Sequence, residues 1–197
     1  MGAHRPRSRS DDTSAGKWVL LFSHPADFTP VCTTEFMAYA RLNEEFEKRN
    51  VQLIGLSVDS VNAHLAWTHD IEEHLGVRIP FPIIADLDMK VATTYGMIHP
   101  GASATSTVHA VYVIDPKGIL RAMVYYPLTT GRNMDEFIRV IDALQITDTY
   151  GVSTPANWRP GDEVIVPAPT TVQQLKEEEA KKAEYDYKRW YLRLRHV

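Results

Sequence analysis

The sequence predicts an α/β protein: a mixed central sheet flanked by helices, followed by a C-terminal arm of different texture. Three observations carry that reading. An apolar run at 17–23 (Lys-Trp-Val-Leu-Leu-Phe-Ser) precedes a stretch of helical periodicity, and the same strand-then-helix order recurs over 51–75. Val108 to Ile114 and Ile119 to Tyr126 flank Asp115-Pro116-Lys117-Gly118 and read as an antiparallel hairpin. After Gln145, Pro155, Pro160, Pro167 and Pro169 punctuate a loop-rich stretch.

At 197 residues the chain suits one domain with an appendage. Residues 1–16 read as a disordered tail, 17–146 as the main domain and 147–197 as the arm. The strand of 17–23 is broken by Pro25 and Pro30, and Pro30 falls where a first-turn proline is tolerated, so Cys32 opens a helix. Phe36, Tyr39, Ala40 and Phe46 continue that helix to Lys48, with Asn50 as its stop. A second strand covers 51–58. Ser60 then caps a helix to about Leu75, which Gly76 ends. A short strand at 81–85, a brief helix at 89–95 and a last core helix at 133–144 complete the domain, the last with Phe137, Ile138, Ile141 and Leu144 inward. A charged helix at 172–184 and an aromatic tail follow. Trp158, Tyr185, Tyr187, Trp190 and Tyr191 call for a cover, which a second copy of the chain would supply as a homodimer.

Several function classes are excluded by composition. A net charge of -4 with scattered basic residues points away from nucleic acid and anionic lipid, leaving small molecules or proteins as partners. The apolar stretch Trp18 to Phe22 is too short for a membrane span or an export signal. A single cysteine excludes an intrachain disulfide framework and a thiolate zinc cluster, and fits a cytoplasmic setting. No metal and no cofactor are expected.

The informative segment is His24-Pro25-Ala26-Asp27-Phe28-Thr29-Pro30-Val31-Cys32-Thr33-Thr34-Glu35. A thiol in the first turn of a helix feels the positive end of the macrodipole, which favours thiolate. Full ionisation of a free thiol gains at most roughly thirtyfold, or about 2 kcal/mol. Enzymes supply on the order of a million-fold or more, so orientation and charge stabilisation must supply the rest. Thr29, just before Cys32, offers a hydroxyl to a bound oxygen. Pro25 would shield the pocket, and Glu35 could anchor Thr29.

Pro25-x-x-x-Thr29-x-x-Cys32 within this segment resembles the peroxiredoxin signature, closest to the one-cysteine, peroxiredoxin-6 type and its archaeal members. The likeness extends to Leu-Ser-Val-Asp-Ser (56–60), Phe-Pro-Ile-Ile (81–84) and Tyr-Pro-Leu-Thr-Thr-Gly-Arg-Asn (126–133). It implies a thioredoxin-like fold and a peroxidatic Cys32 that becomes a sulfenic acid while reducing hydrogen peroxide or organic hydroperoxides. It also implies assembly into dimers or rings, an Arg132 that helps order the site, and a His24 near Cys32. Three features depart from the family. The relatives' leading strand hairpin is replaced by an Arg-rich segment, their second pocket arginine aligns with His109, and the C-terminal cysteines of archaeal relatives are absent. An external thiol, thioredoxin-like or small, must then regenerate Cys32.

Plainer readings stand beside these. Cys32 alone would be a buried small hydrophobe, His24 a structural hydrogen-bonder, Thr29 a helix-cap hydroxyl, Glu35 a solvated first-turn acid, Arg132 a surface charge and His109 a core histidine. His64, His69 and His74 lack metal-ligand spacing and read as a solvated helix face. The rival function on the same fold is a peroxidase-impaired redox sensor or chaperone-like oligomer. A thioredoxin-type reductase is disfavoured because Cys32 is followed by Thr-Thr-Glu without a second cysteine.

Overall fold

The computed structural model describes residues 14 and 16–197, so the expected tail of 1–16 lies almost wholly outside the described residues. The chain forms two compact units that divide between Met134 and Asp135.

The first unit is built on a five-stranded sheet, β1 (Trp18–Ser23), β2 (Val51–Ser57), β3 (Ile83–Ala85), β4 (His109–Ile114) and β5 (Leu120–Tyr126), in the order β3-β2-β1-β4-β5. β1 pairs in parallel with β2 and β2 with β3, whereas β4 runs antiparallel to both β1 and β5. The sheet is therefore mixed, as the sequence predicts. Strand β1 is buried on both faces, which is why it reads as a continuous apolar run rather than an alternating one. On one side Phe22 stacks on Tyr39 at a ring separation of 4.1 Å and meets Phe36 edge-on at 5.4 Å. On the other, Leu21, Leu56, Val108, Ala110 and Tyr112 pack with Ala92 and Met97. Gly55 in β2 has a packing reason: a Cβ there would stand 3.1 Å from the Phe36 ring.

Helix α1 (Pro30–Arg41) ends earlier than predicted, and a separate α2 (Asn43–Lys48) follows. Leu42, at ψ 4°, leaves helical geometry between them, and the asparagine after it is a weak helix-interior residue. Helix α3 (Val61–Leu75) begins as expected, with Ser60 Oγ accepting from Ala63 N, and ends at Gly76 with φ 68°. A short α4 (Lys90–Thr94) links β3 to the loop before β4.

The second unit holds nearly all of α5 (Met134–Tyr150), which runs beyond the predicted end at Leu144. Phe137 and Ile141 are buried, while Ile138 and Leu144 are half-buried. It also holds a three-stranded sheet that the sequence reading missed: β6 (Val164–Ile165), β7 (Asp186–Arg189) and β8 (Leu192–Arg195) in the order β6-β8-β7. Helix α6 (Val172–Ala180) is capped by Thr171, and a 3-10 turn at Lys182–Glu184 takes the rest of the predicted helix. Trp158 needs no second chain to cover it. It is buried in a small core with Ala143, Val152 and Val164, and its Nε1–H donates to Asp162 O at 3.1 Å. Trp190 and Tyr191 remain exposed, and Tyr185 and Tyr187 are half-buried.

Candidate active site

Thr29 is the N-cap of α1, Pro30 its first residue and Cys32 its third. The first backbone bond of the helix runs from Thr33 N to Thr29 O at 3.0 Å, so the N–H groups of Val31 and Cys32 precede the helical ladder. The loop ahead of the helix is held under tension. Phe28 sits at φ 57° and is 58% exposed, a conformation costly for a bulky residue that persists only where its neighbours are fixed. They are: Asp27 N donates to Asp59 Oδ2 at 3.0 Å, and Thr29 Oγ1 donates to Ala26 O at 2.8 Å. Thr29 is thus not a capping hydroxyl.

Cys32 is only 2% exposed. Burial pushes its thiol up from the ordinary value of 9.0, while the Thr29 hydroxyl and the Ala26 backbone pull it down. Desolvation is the largest of these influences and opposes the thiolate that a helix start favours. His109, at the start of β4, brings its Nε2 to 3.4 Å from Sγ. His109 Nδ1 lies 3.3 Å from Pro127 O. A carbonyl can only accept, so Nδ1 carries the proton and Nε2 presents a lone pair to the thiol. Burial lowers the His109 pKa, with Arg132 adding to the effect and Glu35 opposing it, which keeps the ring neutral at neutral pH.

Glu35 and Arg132 form the floor of the pocket. Arg132 donates from Nε to Glu35 Oε1 at 2.9 Å and from Nη2 to Oε2 at 2.6 Å, and its backbone N reaches Oε1 at 2.9 Å. Its Nη1 donates to Ser23 O at 2.9 Å and to Ala110 O at 3.0 Å, which joins α1, β1 and β4. Both side chains are buried, so the planar bidentate fork satisfies two charges that would otherwise be costly. Glu35 does not anchor Thr29 as the sequence suggests. Its carboxylate belongs to Arg132, with Oε2 also 3.7 Å from His109 Nε2.

A second buried polar cluster was not anticipated. His24 Nε2 lies 2.7 Å from Asp27 Oδ1, and His64 Nδ1 lies 2.7 Å from Asp27 Oδ2. His24 packs edge-on to Phe36 at 4.7 Å. Its side-chain partner is thus Asp27. Burial lowers the His24 pKa against the pull of Asp27, whereas at His64 the Asp27 carboxylate outweighs burial and raises it. The solvated-face reading holds for the exposed His69 and His74, paired with Glu73 and Asp70, and fails for buried His64. A signal existed in the sequence: His64, Trp67 and Ile71 share one helical face, and all three are buried.

The structure thus brings Cys32, Thr29, Glu35, His109 and Arg132 together, leaves Pro25 half-buried at the loop, and places His24 in the adjoining cluster. Two groups have ligand atoms within 4.8 Å of one another, as a metal ion would require: His24 with Asp27 and His64, and Cys32 with Glu35 and His109. No helix among the described residues is long and apolar enough to cross a membrane.

The comparisons with known proteins agree with this geometry. Residues 4–123 match the AhpC/TSA family and residues 143–182 the C-terminal domain of 1-Cys peroxiredoxin. A peroxiredoxin of Aquifex aeolicus is 58% identical over 92% of this chain and 85% of its own. Among solved structures, a yeast mitochondrial 1-Cys peroxiredoxin, described with a thiol resolving mechanism via glutathione/thioredoxin systems, is 47% identical. It superposes with a TM-score of 0.81, covering 93% of this chain and 88% of the other. A peroxiredoxin 6 of Arenicola marina is 39% identical with a TM-score of 0.79, covering 93% and 87%. The chain belongs to the peroxiredoxin family, with its thioredoxin-like fold. It is an oxidoreductase, a thiol-dependent peroxidase, and its single cysteine fits a sulfenic acid mechanism completed by an external thiol.

Proposed function

We propose that Cys32 is the peroxidatic thiol, that Thr29, Arg132 and His109 assist it, and that hydrogen peroxide and organic hydroperoxides are its substrates. The observation that carries this reading is the 3.4 Å approach of the Cys32 sulfur to the lone-pair nitrogen of a buried, neutral His109. The thiol proton passes to His109 Nε2 as the sulfur attacks one peroxide oxygen. The O–O bond breaks, sulfur becomes Cys32–SOH, and the departing oxygen takes the proton back from His109 as water or an alcohol. The Thr29 hydroxyl has one hydrogen, now given to Ala26 O, and re-aims it at the developing negative charge. Four of the five Arg132 N–H groups are spent on Glu35, Ser23 and Ala110 (one Nε, two Nη1, one Nη2), so Arg132 acts through its fixed charge and the remaining Nη2 N–H. Pro25 limits water, and Glu35 and His24 hold the machinery in place.

An external thiol then attacks the sulfenic sulfur, displacing water to give a mixed disulfide, and a second thiol releases Cys32. The reductant is thioredoxin-like or a small thiol, by analogy with the yeast relative. The working unit is residues 17–146, and the arm of 147–197 presents Trp190 and Tyr191 to a second copy in a homodimer or larger ring. We place the protein in the cytoplasm, without nucleic-acid or membrane partners.

Mass spectrometry after stoichiometric peroxide, with a consumption assay on wild type and Cys32→Ser, tests the reading. One oxygen gained on Cys32 and removed by added thiol, with activity lost in the serine variant, is expected. Equal, negligible consumption by both proteins overturns it. That outcome favours the second reading, a peroxidase-impaired redox sensor or chaperone-like oligomer, which draws on the same burial of the thiol.

A further inference from the structure

The pocket beside Cys32 has the ligand set of an open tetrahedral metal site: two of its three ligand-to-ligand edges match one, and the third, from Cys32 to Glu35, lies within 4.8 Å. Bond lengths typical of zinc require a sulfur-to-nitrogen edge of about 3.6 Å and a nitrogen-to-oxygen edge of about 3.4 Å between ligands of one tetrahedral ion. The corresponding distances here are 3.4 Å from Cys32 Sγ to His109 Nε2 and 3.7 Å from His109 Nε2 to Glu35 Oε2. The outer groups suit the same purpose. His109 Nδ1–H is directed at Pro127 O, the arrangement that leaves Nε2 free as a ligand, and Arg132 orients the Glu35 carboxylate while one Oε2 lone pair stays available. The His24, Asp27 and His64 cluster does not compare. Its nitrogen-to-oxygen distances of 2.7 Å are those of direct hydrogen bonds and are too short for two ligands of one ion.

We propose that Cys32, His109 and Glu35 reversibly bind a divalent zinc-class cation, with water in the fourth position, and that the bound form is withheld from peroxide chemistry. The functional consequence rests on the peroxidase reading above, whereas the binding itself does not. On binding, the S–H bond breaks, a sulfur–metal bond forms, one proton leaves to solvent and no electron is transferred. Sulfur then has its nucleophilic pair committed to the ion. Three protein ligands with a cationic guanidinium nearby make this weaker than a closed four-ligand structural site, which fits a reversible device. Histidine at 109 is the enabling residue, because an arginine there offers donors only and adds a second positive charge.

Cobalt(II) serves as the optical probe, added to the reduced full-length chain without oxygen. The expected result is a thiolate-to-cobalt charge-transfer band with tetrahedral d–d bands, saturating at one metal per chain and bleached by zinc, with one proton released. Saturating zinc is expected to slow Cys32 oxidation by about tenfold or more, and a chelator to restore it, because the metal-bound sulfur is no longer the free nucleophile. Cys32→Ser, His109→Arg and His109→Gln should each lose the band, and the glutamine variant covers the case in which the arginine variant fails to fold. No band in the wild type, or a band that persists in a folded His109 variant, overturns the proposal. Cys32 oxidation in metal-free protein is scored separately, so a failed peroxidase reading with an intact cobalt band leaves the metal site standing.

Discussion

Replacing His109 with arginine tests whether a charge deficit beside the sulfur limits this enzyme. Burial pushes the Cys32 thiol up, so its protonated form is favoured at neutral pH. Nε2 of His109 stands 3.4 Å from the sulfur. A permanent positive charge between that distance and about 6 Å would attract a thiolate by roughly 3 to 5 kcal/mol at an effective dielectric of about 20. Much of this is offset by burying a second guanidinium next to Arg132. If about 1.4 kcal/mol survives, the thiol drops by about one unit and the thiolate population rises about tenfold. Peroxide consumption by His109→Arg at pH 7 should therefore rise by about tenfold or more, read by stopped flow. The pH dependence of iodoacetamide alkylation should show the lowered thiol pKa. A folded variant with unchanged or slower consumption refutes the argument. If alkylation shows the thiol lowered while consumption falls, proton carriage by the imidazole outweighs thiolate population.

In the wild type, peroxide consumption should rise as His109 loses its proton below pH 6.5, stay level through neutrality while the neutral imidazole takes the thiol proton, and climb again above pH 9 as the raised thiol ionises by itself. One continuous rise with no level stretch would contradict proton carriage by His109. Glu35→Gln leaves the buried Arg132 without its counter-ion and should cost about 3 to 5 kcal/mol in urea unfolding, with part of the loss recovered in Glu35→Gln/Arg132→Met. Asp27→Asn should flatten the pH dependence of stability at both ends. Burial works against the Asp27 charge, but its two histidine partners lower it overall, so its contribution is present above 3.8 and lost as pH falls through its folded value. His64 is raised above 6.5, so its contribution is full below 6.5 and lost as pH rises through its folded value; thermal melts across pH would show both limbs in wild type only.

How much of this was legible in the sequence depended on whether the deciding partner lay nearby in the chain. Thr29, Pro30 and Cys32 are consecutive enough for helix-start chemistry to place them, and Ser60 and Gly76 marked the ends of α3 for equally local reasons. The strands of the main sheet were legible because β1 and β4 are buried runs bounded by turn residues. The C-terminal sheet was hidden by inverted polarity. In β8 the residue most deeply buried is Arg193, which is neutralised by Glu178 and donates to Pro167 O at 2.5 Å, so the strand's Leu-Arg alternation does not mark an ordinary apolar face. The partner of Glu35 was misread for a related cause. Thr29 is close in sequence, but Arg132, far along the chain, offers two aligned charge-assisted bonds that a single hydroxyl cannot match.

The same competition between local and distant effects governs the reactive sulfur. Helix position acts through partial charges at the first turn and is readable from Pro30 and Cys32 alone. Desolvation arises from every element that closes over the thiol and pushes it the other way. In the proposed mechanism reactivity then turns on His109, which β4 brings to the sulfur from 77 residues further along, a neutral, acceptor-bearing imidazole rather than a fixed cation. An imidazole can take the thiol proton and return it to the leaving oxygen, a role closed to arginine. It can equally donate its lone pair to a metal ion. Both the proton route and the metal route through this pocket therefore depend on the same nitrogen, and a substitution that raises thiolate population at position 109 must give up both.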